Sequence, residues 1–211
     1  MADITIVGTG NMASGIAARA ARAGKSIQVL SRSADRGAAL AAKVNGTSGI
    51  TGTDAVESGL VVPATFFPVS KEILETYGES LNGKTIVDIS NPVDTGTFDS
   101  LTVPAGSSAA EELQRIVPNA SVVKAFNTVF AATLGEGSVA GQVIDVLVAG
   151  DSTEATAAVA DLVSDAGLRP IVVGPLRRAR ELEAFMLLVM NLQISDAHPD
   201  YNWDSAVKLL P

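Results

Sequence analysis

The stretch Ile4-Thr5-Ile6-Val7-Gly8-Thr9-Gly10-Asn11-Met12-Ala13 decides the fold of this chain. Four strand-forming residues run into two glycines one residue apart. The Ala-rich, proline-free segment Met12 to Ala23 follows with helical character. A strand, a glycine turn and a helix in that order predict a dinucleotide site. Gly8 allows the tight turn, Gly10 lets a pyrophosphate approach the backbone, and Ala13 lets the helix pack closely on the sheet. Thr9, Asn11 and Met12 are expected on the same turn. The pyrophosphate would sit at the helix N-terminus, where free N–H groups and the helix dipole favour an anion.

Outward from this turn, a second strand, Ile27 to Leu30, ends in Ser31-Arg32-Ser33. Dinucleotide units that take NAD place a carboxylate there for the ribose hydroxyls. In this chain the Arg32 guanidinium, the hydroxyls of Ser31 and Ser33, and Arg36 one helical turn further on match a 2′-phosphate instead. NADP is therefore the expected cofactor. Ser33 also qualifies as the N-cap of the next helix, and the two roles are compatible.

Strands and helices alternate along the rest of the chain, which predicts an α/β protein: a Rossmann-type, doubly wound, mostly parallel sheet with a small C-terminal α/β extension. Further strands are expected at 60–62, 85–89, 121–124, 142–148 and 169–173, with a short strand or loop over 45–53. Helices are expected over 34–44, 69–81, 106–116, from the Asp151-Ser152 cap to 165, and over 177–194. Residues 1–125 read as the NADP-binding domain and 126–211 as a smaller part packed on it. Ligands of open α/β sheets bind beyond the carboxyl ends of the strands. Pro63-Ala64, Ser90-Asn91-Pro92-Val93 and Ala125-Phe126-Asn127-Thr128-Val129 fall there. Pro63, Ala64, Asn91, Ala125 and Asn127 are the residues expected near the nicotinamide, supplying close backbone and side-chain amides. Each also has a plainer reading, as a strand-ending proline, a turn-forming Asn-Pro pair or core.

Composition narrows the partners. The 211 residues carry a net charge of −8, which argues against nucleic acid or an anionic membrane surface. With no cysteine, disulfides and thiolate chemistry are excluded. Met1 to Asp3 runs straight into the first strand, so a cytoplasmic protein is expected. The single histidine, His198, lies in a polar segment near the C-terminus, and no metal-ligand spacing is present. No catalytic acid or base is assigned. A carbonyl or imine substrate needs a proton donor, whereas a flavin-like ring delocalises charge and exchanges its proton with solvent.

Gly8-Thr9-Gly10-Asn11-Met12-Ala13, Ser31-Arg32-Ser33, Val123-Lys124-Ala125-Phe126-Asn127-Thr128, and Gly174-Pro175-Leu176 followed by an Arg- and Glu-bearing helix together resemble the NADPH-dependent oxidoreductases that use the deazaflavin coenzyme F420. A similar set occurs in the oxidoreductase domain of the STEAP metalloreductases. The resemblance implies reversible hydride transfer between NADPH and a small-molecule redox ring, in a homodimer. Where the F420 enzymes carry a histidine near the hydride path, this chain has Phe126 and Asn127, closer to the metalloreductase pattern. The acceptor therefore stays open among deazaflavin F420, FMN, FAD and a small carbonyl or imine compound, and a non-catalytic NADP(H) sensor is a further alternative. The apolar run Phe185 to Val189 exceeds what one helix face buries and is expected at a subunit contact.

Overall fold

In a computed structural model describing residues 1–210, the chain builds one eight-stranded sheet and a small separate hairpin. β1 (Ile4–Val7) leads through the glycine turn to α1 (Asn11–Arg22), β2 (Ile27–Ser31), α2 (Ala34–Lys43) and β3 (Thr47–Ile50). Then come β4 (Leu60–Pro63), α3 (Phe67–Tyr77), β5 (Thr85–Asp88), α4 (Ala109–Ile116) and β6 (Ser121–Lys124). These six strands are parallel and lie in the order β3-β2-β1-β4-β5-β6. That is the doubly wound order, with its reversal between β1 and β4. Successive side chains go to opposite faces. Ile6, Val29 and Val123 pack with Ile16 and Ala17 of α1, while Val7, Leu30 and Val122 pack with Leu74 of α3 and Leu113 of α4. Burial on both faces is why these strands read as apolar runs rather than alternating ones, each buried aliphatic side chain contributing about 2 kcal/mol.

Beyond β6 the chain forms α5 (Ala131–Leu134), β7 (Ser138–Val139), β8 (Gln142–Val143), β9 (Asp145–Gly150), α6 (Thr153–Asp165), β10 (Arg169–Gly174) and α7 (Ala179–Gln193). β9 pairs antiparallel with β6, and β10 pairs parallel with β9, so both extend the same sheet. The strand expected over 142–148 is two elements. Ala140 and Gly141 both take positive φ, the combination of a two-residue hairpin turn, so Gln142–Val143 folds back on Ser138–Val139 before β9 begins. The helix expected over 69–81 ends at Tyr77 and tightens into a 3-10 turn over Gly78–Leu81. The one expected from residue 106 starts at Ala109, because Ser108 caps it by accepting from the Glu111 amide at 3.2 Å.

α7 returns toward the carboxyl edge of β6, and the tail after it is tied down there. The buried Asp145 carboxylate accepts from Arg169 Nε at 2.7 Å, Lys208 Nζ at 2.6 Å and the Leu209 amide at 2.8 Å. Burial pushes its pKa up, but these donors outweigh it and hold Asp145 well below the usual carboxylate range. Trp203 stands edge-on to Phe130 and Phe98, with ring centroids 5.4 and 6.4 Å away. Among the described residues no helix is long and apolar enough to cross a membrane.

Candidate functional site

The glycine turn meets the demands placed on it in two different ways. Gly8 has φ +128°, and a Cβ there would lie 2.7 Å from the Ala64 carbonyl oxygen. Glycine is thus required by the chain's own packing. At Gly10 a Cβ would meet no protein atom within 4 Å, so internal packing does not require glycine; close approach of an anion would. Gly10 is the N-cap of α1 with no side-chain cap, and the first helical bond runs from Ser14 N to Gly10 O at 2.9 Å. The amides of Asn11, Met12 and Ala13 therefore lie ahead of the helical ladder, and no carboxylate occupies the first turn. Thr9 is half-buried and Asn11 exposed beside them. These groups fit a pyrophosphate.

Beside this turn, at the end of β2, lies the serine and arginine segment. Ser31 is buried and its Oγ accepts from the Ser33 amide at 3.1 Å. Ser33 Oγ caps α2 by accepting from the Arg36 amide at 3.4 Å. Both hydroxyls keep a proton to donate. Arg32 and Arg36 are exposed, and neither is in an ion pair among the described residues, although Asp35 shares the first turn of α2. On the other side of β1, Ala64 donates its amide to Val7 O at 2.9 Å, which holds Pro63-Ala64 against the glycine turn.

At the ends of β5 and β6, Asn91 and Asn127 interlock. Asn91 Nδ2 donates to Asn127 O at 2.9 Å, and Asn127 Nδ2 donates to Asn91 Oδ1 at 3.0 Å. Asn127 Oδ1 and Thr128 Oγ1 are buried with no hydrogen-bond partner. An unsatisfied buried acceptor is costly, and a ligand amide N–H would satisfy the one on Asn127. Phe126, buried between these segments, takes φ +59°, a strained setting for a bulky residue. Ala125, also buried, donates its amide to Asp88 O at 3.0 Å.

Beneath the asparagines lies a charged cluster that sequence reasoning did not single out. Lys124 is completely buried, and its ammonium donates to Asp88 Oδ2 at 2.8 Å, to Glu183 Oε1 of α7 at 2.7 Å and to the Ser90 carbonyl at 2.5 Å. Asp88 Oδ1 accepts from both the amide and the hydroxyl of Ser90. Glu183 Oε2 also accepts from the Ala109 amide at the start of α4. Burial works against the Lys124 ammonium, but the two carboxylates outweigh it and hold its pKa above the usual lysine value. Burial pushes Glu183 up, offset in part by Lys124. A signal was available: Asp88 and Lys124 are lone charges of opposite sign ending two apolar strands, and they are directly paired in register.

Ser31 to Arg36, Gly8 to Met12, Pro63-Ala64, Asn91 and Asn127 follow β2, β1, β4, β5 and β6, in that spatial order along one edge. The row spans four strand spacings, about 19 Å. Two surface hollows of about 570 and 360 Å³ lie elsewhere, lined by Ser121 and Asp151 in one and by Ile4, Leu60 and Thr85 in the other, at the amino edge of the parallel strands. Neither contains the glycine turn. His198 is exposed, its ring centroid 6.2 Å from that of Tyr201.

A family model described as NADP oxidoreductase, coenzyme F420-dependent, matches residues 3–92. The metalloreductase STEAP3 of Rattus norvegicus is 32% identical over 187 residues, which cover 89% of this chain and 37% of that protein. This chain therefore spans little more than a third of that relative's length. The F420-dependent NADP reductase of Methanothermobacter thermautotrophicus is 31% identical over 205 residues, 90% of this chain and 88% of that protein. Among solved structures, a protein from Arthrobacter sp. FB24 proposed to be an F420-dependent NADP-reductase superposes with a TM-score of 0.82 at 28% identity, over 99% of this chain and 100% of that one.

Proposed function

Because this chain belongs to the coenzyme F420-dependent NADP oxidoreductase family, we propose that it catalyses reversible hydride transfer between NADPH and a flavin-like ring, with the deazaflavin F420 as the acceptor to test first. The observation that carries this reading is the single row of groups along the carboxyl edge. Cationic and hydroxyl groups lie at one end, free helix amides in the middle, and a buried amide pair with an unused acceptor at the other. Ser31, Arg32, Ser33 and Arg36 bind the 2′-phosphate by charge and hydrogen bonds. The turn from Gly8 to Met12 takes the pyrophosphate on backbone amides, with Pro63-Ala64 as its neighbouring wall. Asn91, Ala125 and Asn127 orient the carboxamide, so that one face of the ring is presented to the acceptor. When bound, NADPH would supply the hydride, and the acceptor ring would take it together with one proton from solvent. We assign no side chain as acid or base. We read the exposed Phe185 and Leu188 of α7 as a homodimer contact and the protein as cytoplasmic.

The test is an anaerobic assay of purified protein with NADPH and F420, following both chromophores. Equimolar loss of NADPH and of oxidised F420 supports the reading. NADPH binding without turnover of F420, FMN or FAD would leave a sensor. In binding measurements, Arg32→Ala is expected to weaken NADPH by roughly 1.5 to 3 kcal/mol and NADH little. Equal losses for both would sink the 2′-phosphate assignment.

A further inference from the structure

We propose that Lys124 is a positioning residue: with Asp88 and Glu183 it clamps the two loops that carry Asn91 and Asn127, and so fixes the nicotinamide end of the site. The proposal rests on the cofactor reading above. All three ammonium protons are used, each on a different segment: the end of β5, the loop after it and the second turn of α7. Ser90 is gripped at every polar group, its amide and hydroxyl by Asp88 and its carbonyl by Lys124. The next residue is Asn91, whose side chain both donates to and accepts from Asn127, three residues beyond Lys124 itself. The contacts therefore run unbroken from Glu183 through Lys124 and Ser90 to the asparagine pair.

Stability alone does not account for such a cluster. Burying an ammonium and two carboxylates costs several kcal/mol per ion, and apolar residues of similar volume pack as well or better. What the charged cluster adds is direction, since each bond sets the distance and angle of a backbone segment that ligand binding needs fixed. One cation against two carboxylates also leaves the Glu183 carboxylate dependent on the α4 amides, which ties a fourth segment, Ala109, into the clamp.

Calorimetric titration of wild type and Lys124→Met with NADPH and with 2′-phospho-ADP-ribose, which lacks the nicotinamide, tests this. The variant is expected to bind the fragment within about twofold of wild type and to lose about tenfold in affinity for NADPH, so that the ratio of the two constants falls. Equal weakening of both compounds, or a ratio that does not move, overturns the clamp and leaves the dinucleotide reading standing. Wild type that binds neither compound overturns both. If Lys124→Met does not fold, Glu183→Gln carries the same test, because it keeps the side chain's size and an acceptor for the Ala109 amide. Asp145→Asn, which breaks a buried ion cluster that shares no partner with Lys124, is expected to leave the ratio unchanged; a ratio that shifts with it reports general loosening and overturns the proposal.

Discussion

The two ends of the row are built by opposite means. At the proposed phosphate end every group lies within a few residues of its neighbours: Gly8 to Met12 on one turn, Ser31 to Arg36 on another, with the arginines exposed. At the other end, Asp88, Asn91, Lys124, Asn127 and Glu183 come from three separate stretches and are largely buried. A phosphate is a strong anion, and backbone amides with mobile guanidinium groups suffice to hold it in water. A flat ring offers only a weakly polar amide, so its orientation depends on groups that cannot move. In the proposed site, binding strength and binding geometry thus fall to different kinds of structure.

The largest expected effect comes from breaking the local end where it meets the core. Gly8→Val forces a β-branched residue to φ +128° and drives its Cβ into the Ala64 carbonyl. A stability loss of about 3 kcal/mol is expected, together with loss of both NADPH and NADH binding. Denaturant unfolding that shows an unmoved midpoint would remove the steric account of this turn. Asp145→Asn sharpens the contrast from the other side, because it cuts a long-range anchor outside the row. About 2 kcal/mol of stability should go, with the cofactor constants unmoved. The folded-state pKa of Asp145 is depressed below its unfolded value, so the stabilisation is complete above about pH 3.9 and is lost as the pH falls through the folded value. The variant should therefore unfold less steeply than wild type in acid, and parallel acid-unfolding curves would contradict that linkage. The smallest effect is expected at Ser33→Ala. Its capping bond is long, 3.4 Å, so about 0.5 kcal/mol of stability is expected to be lost. An NADPH loss as large as that of Arg32→Ala would mean the hydroxyl matters more to the phosphate than to the helix.

The same division governs what could be read from the sequence. The β1 turn, the Ser33 and Ser152 caps and the apolar parallel strands are written in neighbouring residues, and each expected element occurs within a few positions. The hairpin over Ser138–Val143 was missed because its decisive feature is the positive φ of Ala140, which composition does not announce. The start of α4 lies at Ala109 and not at residue 106 because the Ser108 hydroxyl caps it through the Glu111 amide. Glu183 was invisible as a partner of Lys124, since only the reversed direction of β9 and β10 brings α7 back under the site. The asparagine pair was legible as two strand ends but not as an interlocked unit, because register across β5 and β6 sets it.

Glu183 stands 59 positions beyond Lys124, so the clamp closes late in the life of the molecule. On the ribosome the strand, glycine turn and helix around Gly8 emerge first and need only local contacts to form. Lys124 follows and meets Asp88, its partner on the neighbouring strand. Its second carboxylate is still unsynthesised, and the loop that delivers it must be closed against chain entropy. On the proposed reading, a nascent chain therefore has its phosphate turn before it has the clamp for the nicotinamide.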